Sequence, residues 1–188
     1  MTRAGRVLGL AVEQSDAELI RGTRSGDLDI FGELLRRFQG RVHTLCARMT
    51  GDPVSAEQAA HGVFVSAYTD AIQLEAPVEN WLLRCALDRC EDPGDAPPAP
   101  PAQDTLDAEP DTETEDDVKG QKLQAALDKL RPSFRAAVIL RDVLDLEYAQ
   151  IADIMGLPLG TAKSRVRRAR QEMAAALTAR AHSWHGEE

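Results

Sequence analysis

The side chains best suited to chemistry in this sequence form a basic run between positions 160 and 180. Six basic residues and one acidic residue lie in this stretch. On a helix that turns about 100° per residue, Ala162, Val166, Ala169, Met173 and Leu177 share an arc of roughly 80°. The basic positions lie on the opposite arc. A helix that buries one face and offers the other to a polyanion is typical of nucleic-acid binding.

The first turns of this helix carry the predicted DNA contacts. Hydroxyl and ammonium groups at its start suit base edges, and the guanidinium groups that follow suit phosphates or guanine. The predicted contacts are Thr161, Lys163, Ser164, Arg165, Arg167 and Arg168. The alternative is an ordinary helix with a solvated cationic face.

A shorter helix and a glycine turn precede the basic helix and favour the DNA-binding interpretation. Tyr148, Ile151, Ala152 and Met155 share one face at helical spacing. Gly156 is suited to a left-handed helix end. Two short helices joined by a glycine turn, with small Ala152 at the crossing, predict a helix-turn-helix.

Residues 16–90 are predicted to form four helices, because apolar residues recur there at helical and not at alternating spacing. The breaks fall at residues 25–27, at residues 51–53 and at Pro77, and a last helix is expected from Val78 to Cys90. Asp16 and Ser55 are the predicted N-caps. The long second helix carries its apolar stripe on Phe31, Leu34, Leu35, Phe38, Val42, Leu45 and Met49.

Residues 118–180 form the second predicted helical domain. One helix carries the stripe Leu123, Leu127 and Leu130. The next is expected to begin near Pro132, which suits a first helical turn, and it carries Phe134, Val138 and Leu144. The helix-turn-helix follows. Residues 1–15 and 181–188 are predicted to be a disordered N-terminus and a tail.

The net charge of −9 lies almost entirely in one segment. Residues 1–90 carry a net −2, residues 91–117 a net −11 with no basic side chain, and residues 118–188 a net +4. Residues 91–117 hold six of the ten prolines and one large aliphatic residue, Leu106. Such a segment buries too little apolar surface to offset its ordering entropy. We predict an all-α protein of two small domains joined by a flexible, acidic, Pro-rich linker.

The sequence argues against several other classes of protein. It holds no apolar run near the roughly 18 residues of a membrane span, and its N-terminus lacks a convincing signal-peptide cleavage site, so a cytoplasmic chain is expected. The three cysteines are expected to be reduced thiols, with Cys46 and Cys85 on apolar faces. His182 and His185 favour a terminal tail over a metal site. No cofactor, metal or small-molecule substrate is predicted, because phosphate-loop and nucleophile motifs are absent.

The whole layout resembles an extracytoplasmic-function (ECF, group IV) sigma factor of bacterial RNA polymerase, in the sigma-70 family. The resemblance covers about residues 16–180. Its strongest part is the pattern Tyr148-x-x-Ile151-Ala152-x-x-Met155-Gly156-x-x-x-Gly160-Thr161-x-Lys163-Ser164-Arg165, which is close to the family's region 4 signature. Residues 16–21, 25–27 and 31–34 resemble the start of region 2, and residues 80–84 resemble its end.

The resemblance implies a mechanism and a set of partners. Region 2, residues 16–90, would bind the clamp helices of core RNA polymerase and melt the −10 element. Region 4, residues 118–180, would bind the −35 element and the polymerase flap. The linker would thread through positively charged channels of the polymerase. The family also implies control by an anti-sigma factor.

The resemblance also carries site residues onto region 2. Glu57, His61 and Phe64 take the places of clamp-binding residues, although Gln58, His61 and Gly62 depart from the family's pattern and remove two carboxylates. Gly62 also costs about 1 kcal/mol of helix propensity relative to alanine. These departures predict weakened polymerase binding.

Asn80, Trp81 and Arg84 take the places of −10 DNA contacts. For Trp81, packing in the core is an equal alternative. A second class of function also stays open. In that alternative the chain is a helix-turn-helix transcriptional regulator that does not act as a polymerase subunit.

Overall fold

The structure is a computed structural model that describes residues 14–91 and 115–183, and helices account for nearly all of them. There is no strand in these residues, so the predicted all-α class is confirmed. The predicted linker and both termini lie largely outside the described residues. The helices are α1 (Asp16–Arg24), α2 (Leu28–Thr50), α3 (Pro53–Thr69), α4 (Val78–Glu91), α5 (Glu115–Leu127), α6 (Pro132–Val138), α7 (Tyr148–Ile154) and α8 (Leu159–Ser183).

The predicted ends of the first two helices are nearly right, with one correction. Ser15, and not Asp16, is the N-cap of α1, because the Ser15 backbone N–H and hydroxyl both donate to Glu18 Oε2 at 2.8 Å. Asp27 caps α2 by accepting from the backbone N–H groups of residues 29 and 30. Gly51 ends α2 with φ of 70°, a conformation that favours glycine.

The N-cap of α3 also differs from the prediction. Asp52 takes this position, and its carboxylate accepts from the backbone N–H of Ser55 at 2.7 Å and from the Ser55 hydroxyl at 2.6 Å. Pro53 then fits the first helical turn, where no backbone N–H is needed. Ser55 therefore supports the cap from inside the helix. The Ser55 hydrogen bonds lower the pKa of Asp52.

The helix that begins at Pro132 changes its winding in the middle. It is α-helical to Val138 and continues as a π-helical turn over Ile139–Val143. The backbone N–H of Leu144 donates to the Ile139 carbonyl at 3.0 Å, a spacing of five residues. The wider turn keeps Leu144 only 8% exposed, although it lies six positions after Val138. The predicted helix is present, and the change of winding within it was not predicted.

The apolar residues of both helical blocks belong to one continuous cluster. It includes Leu34 and Leu82 from the first block and Ile139 and Val166 from the second, all completely buried. Helix α2 packs on α3 and α4, and α8 packs on α6 and α7. Helix α4 also contacts α7, so the two blocks touch each other directly. The predicted domain boundaries stay a prediction.

Candidate nucleic-acid interface

Helix α8 is amphipathic, as its sequence predicts. Ala162, Val166 and Ala169 are 0% exposed and lie against the other helices of the second block. Met173 is half-buried, whereas Leu177 is 43% exposed. The packed face therefore covers the first half of α8, and this half carries the predicted DNA contacts.

The predicted DNA contacts differ in their exposure along α8. Lys163, Ser164, Arg167 and Arg168 are exposed. Thr161 and Arg165 are half-buried, because they flank the packed face. The Ser164 hydroxyl donates to the Thr161 carbonyl at 2.9 Å. The exposed members form a cationic surface on one side of α8.

The turn between α7 and α8 holds this surface in place. Gly156 has φ of 62°, and the backbone N–H of Leu157 donates to the Ala152 carbonyl at 2.8 Å. Arg141 contacts α7 and the segment just before it. Its guanidinium lies 5.1 Å from the centre of the Tyr148 ring and donates to the Leu146 carbonyl at 2.7 Å. The predicted helix-turn-helix is therefore present and buttressed.

One basic residue of α8 has a structural partner that the sequence pattern did not indicate. Arg170 Nε donates to Asp142 Oδ2 at 2.9 Å, and its Nη2 pairs with Asp142 Oδ1. This hydrogen bonding raises the pKa of Arg170. The pair ties α8 to the π-helical turn. Arg167 and Arg168 form no such pair within the part of the chain that the structure describes.

The predicted −10 contacts lie on α4, facing α7. Asn80 is 4% exposed, and Trp81 is half-buried against the core. Asn80 Nδ2 donates to Asp153 Oδ2 at 2.8 Å, and Arg84 Nη2 lies 3.2 Å from Asp153 Oδ1. A cleft of about 370 Å³ lies beside this contact, and Pro77, Trp81, Ala149 and Gln150 are among the residues that line it. The structure thus brings these three residues together, but it joins them to the helix-turn-helix.

The predicted polymerase contacts on α3 are divided between surface and core. Glu57 is exposed and His61 is half-buried. Phe64 is 9% exposed and packs in the core, so its ring is not available on the surface of this conformation. The reason is its position on the same helical face as Ala60 and Ala67, which are also buried.

The structure gives Gly62 a role that its sequence did not indicate. A Cβ at this position would lie 2.7 Å from Arg89 Nη1. The Arg89 guanidinium therefore lies directly over the glycine, and its Nη2 donates to the Ser66 hydroxyl at 2.6 Å. A cation from α4 occupies this part of the α3 surface, and a Cβ at position 62 would force its guanidinium to shift.

The three cysteines are free thiols, and the two that lie side by side are distant from each other in the sequence. Cys46 on α2 lies beside Cys90 on α4. Their hydrogen bond, with burial, raises the pKa of Cys46, and the same bond lowers the pKa of Cys90. Burial raises the pKa of Cys85 to about 11.

Within residues 14–91 and 115–183 no helix combines the length and apolar character that crossing a bilayer requires. The same residues contain no group of three or more His, Cys, Asp or Glu side chains placed to hold a metal ion. The prediction about His182 and His185 lies outside the described side chains.

These features define a two-block, all-helical protein with a helix-turn-helix, and comparison with known proteins identifies its family. A family described as "Sigma-70, region 4" matches residues 120–173. The chain is 32% identical over 165 residues to the ECF RNA polymerase sigma factor SigM of Mycobacterium tuberculosis, covering 86% of this chain and 84% of the relative. It is 36% identical over 152 residues to SigE of Mycolicibacterium smegmatis, covering 75% of this chain and 59% of that relative.

Solved structures share the fold. CnrH in complex with the cytosolic domain of CnrY matches with a TM-score of 0.68 at 22% identity, over 87% of this chain and 97% of the other. The sigma factor RpoE from Bartonella quintana, in complex with the anti-sigma factor NepR, matches with a TM-score of 0.58 at 20% identity, over 79% and 96%. The chain belongs to the ECF RNA polymerase sigma factors of the sigma-70 family, a group of transcription regulators.

Proposed function

We propose that the chain directs promoter-specific initiation by binding core RNA polymerase and the −35 and −10 promoter elements. Membership in the ECF sigma factors supports this role and disfavours a regulator that acts without polymerase. The observation that carries the DNA half of the proposal is the cationic surface of α8, where Lys163, Arg167 and Arg168 are exposed beside a buttressed turn. The chain has no catalytic part in this scheme and works with polymerase in the cytoplasm.

The contacts divide between the two blocks. The residues of α8 named above hold the −35 element, with Thr161 and Ser164 at the helix start nearest the base edges. Asn80, Trp81 and Arg84 hold the −10 element. Glu57 and His61 offer the surface contact to the polymerase clamp, and Phe64 supports their helix from the core. An anti-sigma factor is a further expected partner.

Run-off transcription tests the proposal. The full chain is added to core polymerase freed of sigma factors, with fragments of the source genome as templates, and the 5′ ends of the transcripts are mapped. We expect discrete start sites that share two upstream elements. DNA binding without any association with polymerase would refute the sigma-factor role and support the regulator.

Matched variants separate the two interfaces. Arg167→Ala with Arg168→Ala should abolish start-site selection and leave polymerase binding intact. The control is Arg36→Ala, which removes an exposed arginine of α2 that pairs with nearby Glu33, and this variant should transcribe normally. Glu57→Ala should weaken association with polymerase and leave duplex binding unchanged.

A further inference from the structure

The two blocks are joined by a polar contact at the predicted −10 site. Asn80 and Arg84 lie four residues apart on one face of α4, and both donate to Asp153 of α7. Arg84 Nη2 also donates to the backbone carbonyl of Asp153 at 3.0 Å. One carboxylate is thus held by an amide and a guanidinium from the other block.

Asn80 is only half satisfied by this contact. Its Nδ2 has Asp153 as partner, whereas its Oδ1 is buried and has no hydrogen-bond partner in the part of the chain that the structure describes. An unpaired buried acceptor is costly, so a side chain that serves only to join helices would be expected to satisfy both ends. The adjoining cleft of about 370 Å³, with Trp81 in its wall, has room for a further ligand.

Asp153 is also placed unfavourably for its own helix. It lies in the last turn of α7, where the helix dipole disfavours a negative charge. Its side chain is 52% exposed, so packing does not require it there. The compensating interactions come from Asn80 and Arg84 of the other block.

We propose that Asp153 of α7 is a competitor in cis for this site: its carboxylate accepts from Asn80 and Arg84, the donors that would otherwise hold a phosphate group of a single DNA strand. The inference rests on the proposed function and adds a competitor to it. Carboxylate and phosphate oxygens accept from the same amide and guanidinium donors. The indole of Trp81, at the cleft wall, offers a face on which a base stacks.

A ligand can use this site only if the contact between the blocks opens, because Asp153 already accepts from both donors. In the closed form, Asn80 Nδ2 lies 2.8 Å from Asp153 Oδ2. Residues 92–114 connect the two blocks in the sequence and can span roughly 80 Å when extended, so the covalent connection permits an open form.

Other contacts hold the closed form together and set the size of the expected effect. Arg41 Nη2 donates to the Leu144 carbonyl at 2.7 Å, and Arg135 Nη1 donates to the Met49 carbonyl at 2.6 Å. These bonds do not involve Asp153. Removing the Asp153 carboxylate should therefore shift the balance toward the open form by about tenfold and leave both blocks folded.

Acrylamide quenching of Trp81 tests whether the contact opens. The sequence holds two tryptophans, so Trp184→Phe leaves Trp81 as the only one in the full chain. In this background Asp153→Ala should raise the quenching constant at least twofold, and Asp153→Asn should raise it less. Asp88→Ala removes an exposed carboxylate from α4 and should change nothing. Equal quenching in Asp153→Ala and Asp88→Ala would overturn the inference.

Affinity for one DNA strand tests the competition. The probe is a fluorescein-labelled oligonucleotide with the non-template −10 sequence obtained from the mapped start sites. Asp153→Ala should bind it about tenfold more tightly than the unmodified chain, and Asn80→Ala with Arg84→Ala should bind it more weakly in either background. Increased Trp81 quenching without tighter binding would also overturn the inference, because the contact would then be purely structural.

The transcription assay keeps this inference apart from the proposed function. If the unmodified chain initiates at discrete sites but Asp153→Ala changes neither quenching nor affinity, only the competition fails. If Trp81 becomes accessible in Asp153→Ala but no variant initiates with core polymerase, the sigma-factor role fails. The contact then opens as proposed, but the ligand that competes with Asp153 is not a promoter strand.

Discussion

Replacing Gly62 by alanine should lower the free energy of unfolding of the unmodified chain. The same replacement should raise it in a chain that already carries Arg89→Ala. In a helix interior this change normally stabilises by about 0.8–1.0 kcal/mol. Here the new Cβ would lie 2.7 Å from Arg89 Nη1 and 3.0 Å from Arg89 Cζ, so the guanidinium has to move. Its hydrogen bond to the Ser66 hydroxyl, 2.6 Å long, is then lost.

The expected magnitudes follow from these two effects. A hydrogen bond from a charged donor contributes about 1.5 kcal/mol at the low end of its range, which suits a half-buried arginine. The loss slightly exceeds the propensity gain, so Gly62→Ala should lower the free energy of unfolding by about 0.5 kcal/mol. With Arg89→Ala already present there is nothing to displace, and the same change should raise it by about 1 kcal/mol. The coupling free energy is therefore about 1.5 kcal/mol.

The coupling is measured on four proteins: the unmodified chain, Gly62→Ala, Arg89→Ala and the double variant. Urea unfolding of each full chain, followed by circular dichroism at 222 nm, gives its free energy of unfolding. Gly40→Ala is the matched control, because Gly40 is also inside a helix and nothing lies within 4 Å of a Cβ built there. Gly40→Ala should stabilise by about 1 kcal/mol in both backgrounds. Equal stabilisation by Gly62→Ala and Gly40→Ala in the unmodified chain would refute the placement of Arg89.

Three further outcomes follow from charge and hydrogen bonding. Arg167→Ala should reduce the slope of log affinity against log salt for duplex DNA by about 0.9, and Arg36→Ala should leave it unchanged, as fluorescence anisotropy can measure. Iodoacetamide near neutral pH should modify Cys90 before Cys85, because the pKa of Cys90 is lowered and that of Cys85 is raised to about 11; mass spectrometry follows the order. The pKa of Asp52 is lowered in the folded chain, so the stability that its cap contributes is present above the usual pKa of 3.8 and is lost as pH falls. Asp52→Asn should therefore flatten the acid side of the curve of Tm against pH.

Each of these outcomes has a result that contradicts it. An unchanged salt slope in Arg167→Ala would move this side chain off the DNA. Faster modification of Cys85 than of Cys90 would contradict the thiol pair on α2 and α4, provided that the urea-unfolded chain modifies both at similar rates. An equally steep loss of Tm in acid for Asp52→Asn would show that other carboxyl groups cause it.

The sequence predicted the features that depend on short-range periodicity. The buried positions Ala162, Val166 and Ala169 follow from a period of 3.6 residues, and the left-handed Gly156 follows from a helix that must end there. The sequence did not decide the N-caps, because Ser15 and Asp16 are both good caps, as are Asp52 and Ser55. Neighbouring capping residues compete, and the choice depends on which side chain reaches the free N–H groups.

Two features of the site lie beyond local patterns. From the sequence alone, Gly62 only lowers the helix propensity of α3. The guanidinium that lies over it belongs to Arg89 of α4, so no pattern within α3 indicates it. Phe64 matches a family position by sequence, yet its helical face is buried. Charge arithmetic by segment located the cationic helix, but it did not separate Arg170, which is paired with Asp142, from Arg167 and Arg168.

The contact between the blocks was invisible in the sequence for a physical reason. Asn80 and Asp153 are 73 positions apart and are separated by the acidic segment, so no periodicity links them. Two further donors that cross between the blocks, Arg41 and Arg135, are bonded to backbone carbonyls, which every residue possesses. A hydrogen bond to a backbone carbonyl does not require any particular residue type in the partner. The sequence therefore predicts which groups bind DNA, and only the packing of the helices shows that an acid of one block accepts hydrogen bonds from donors of the other.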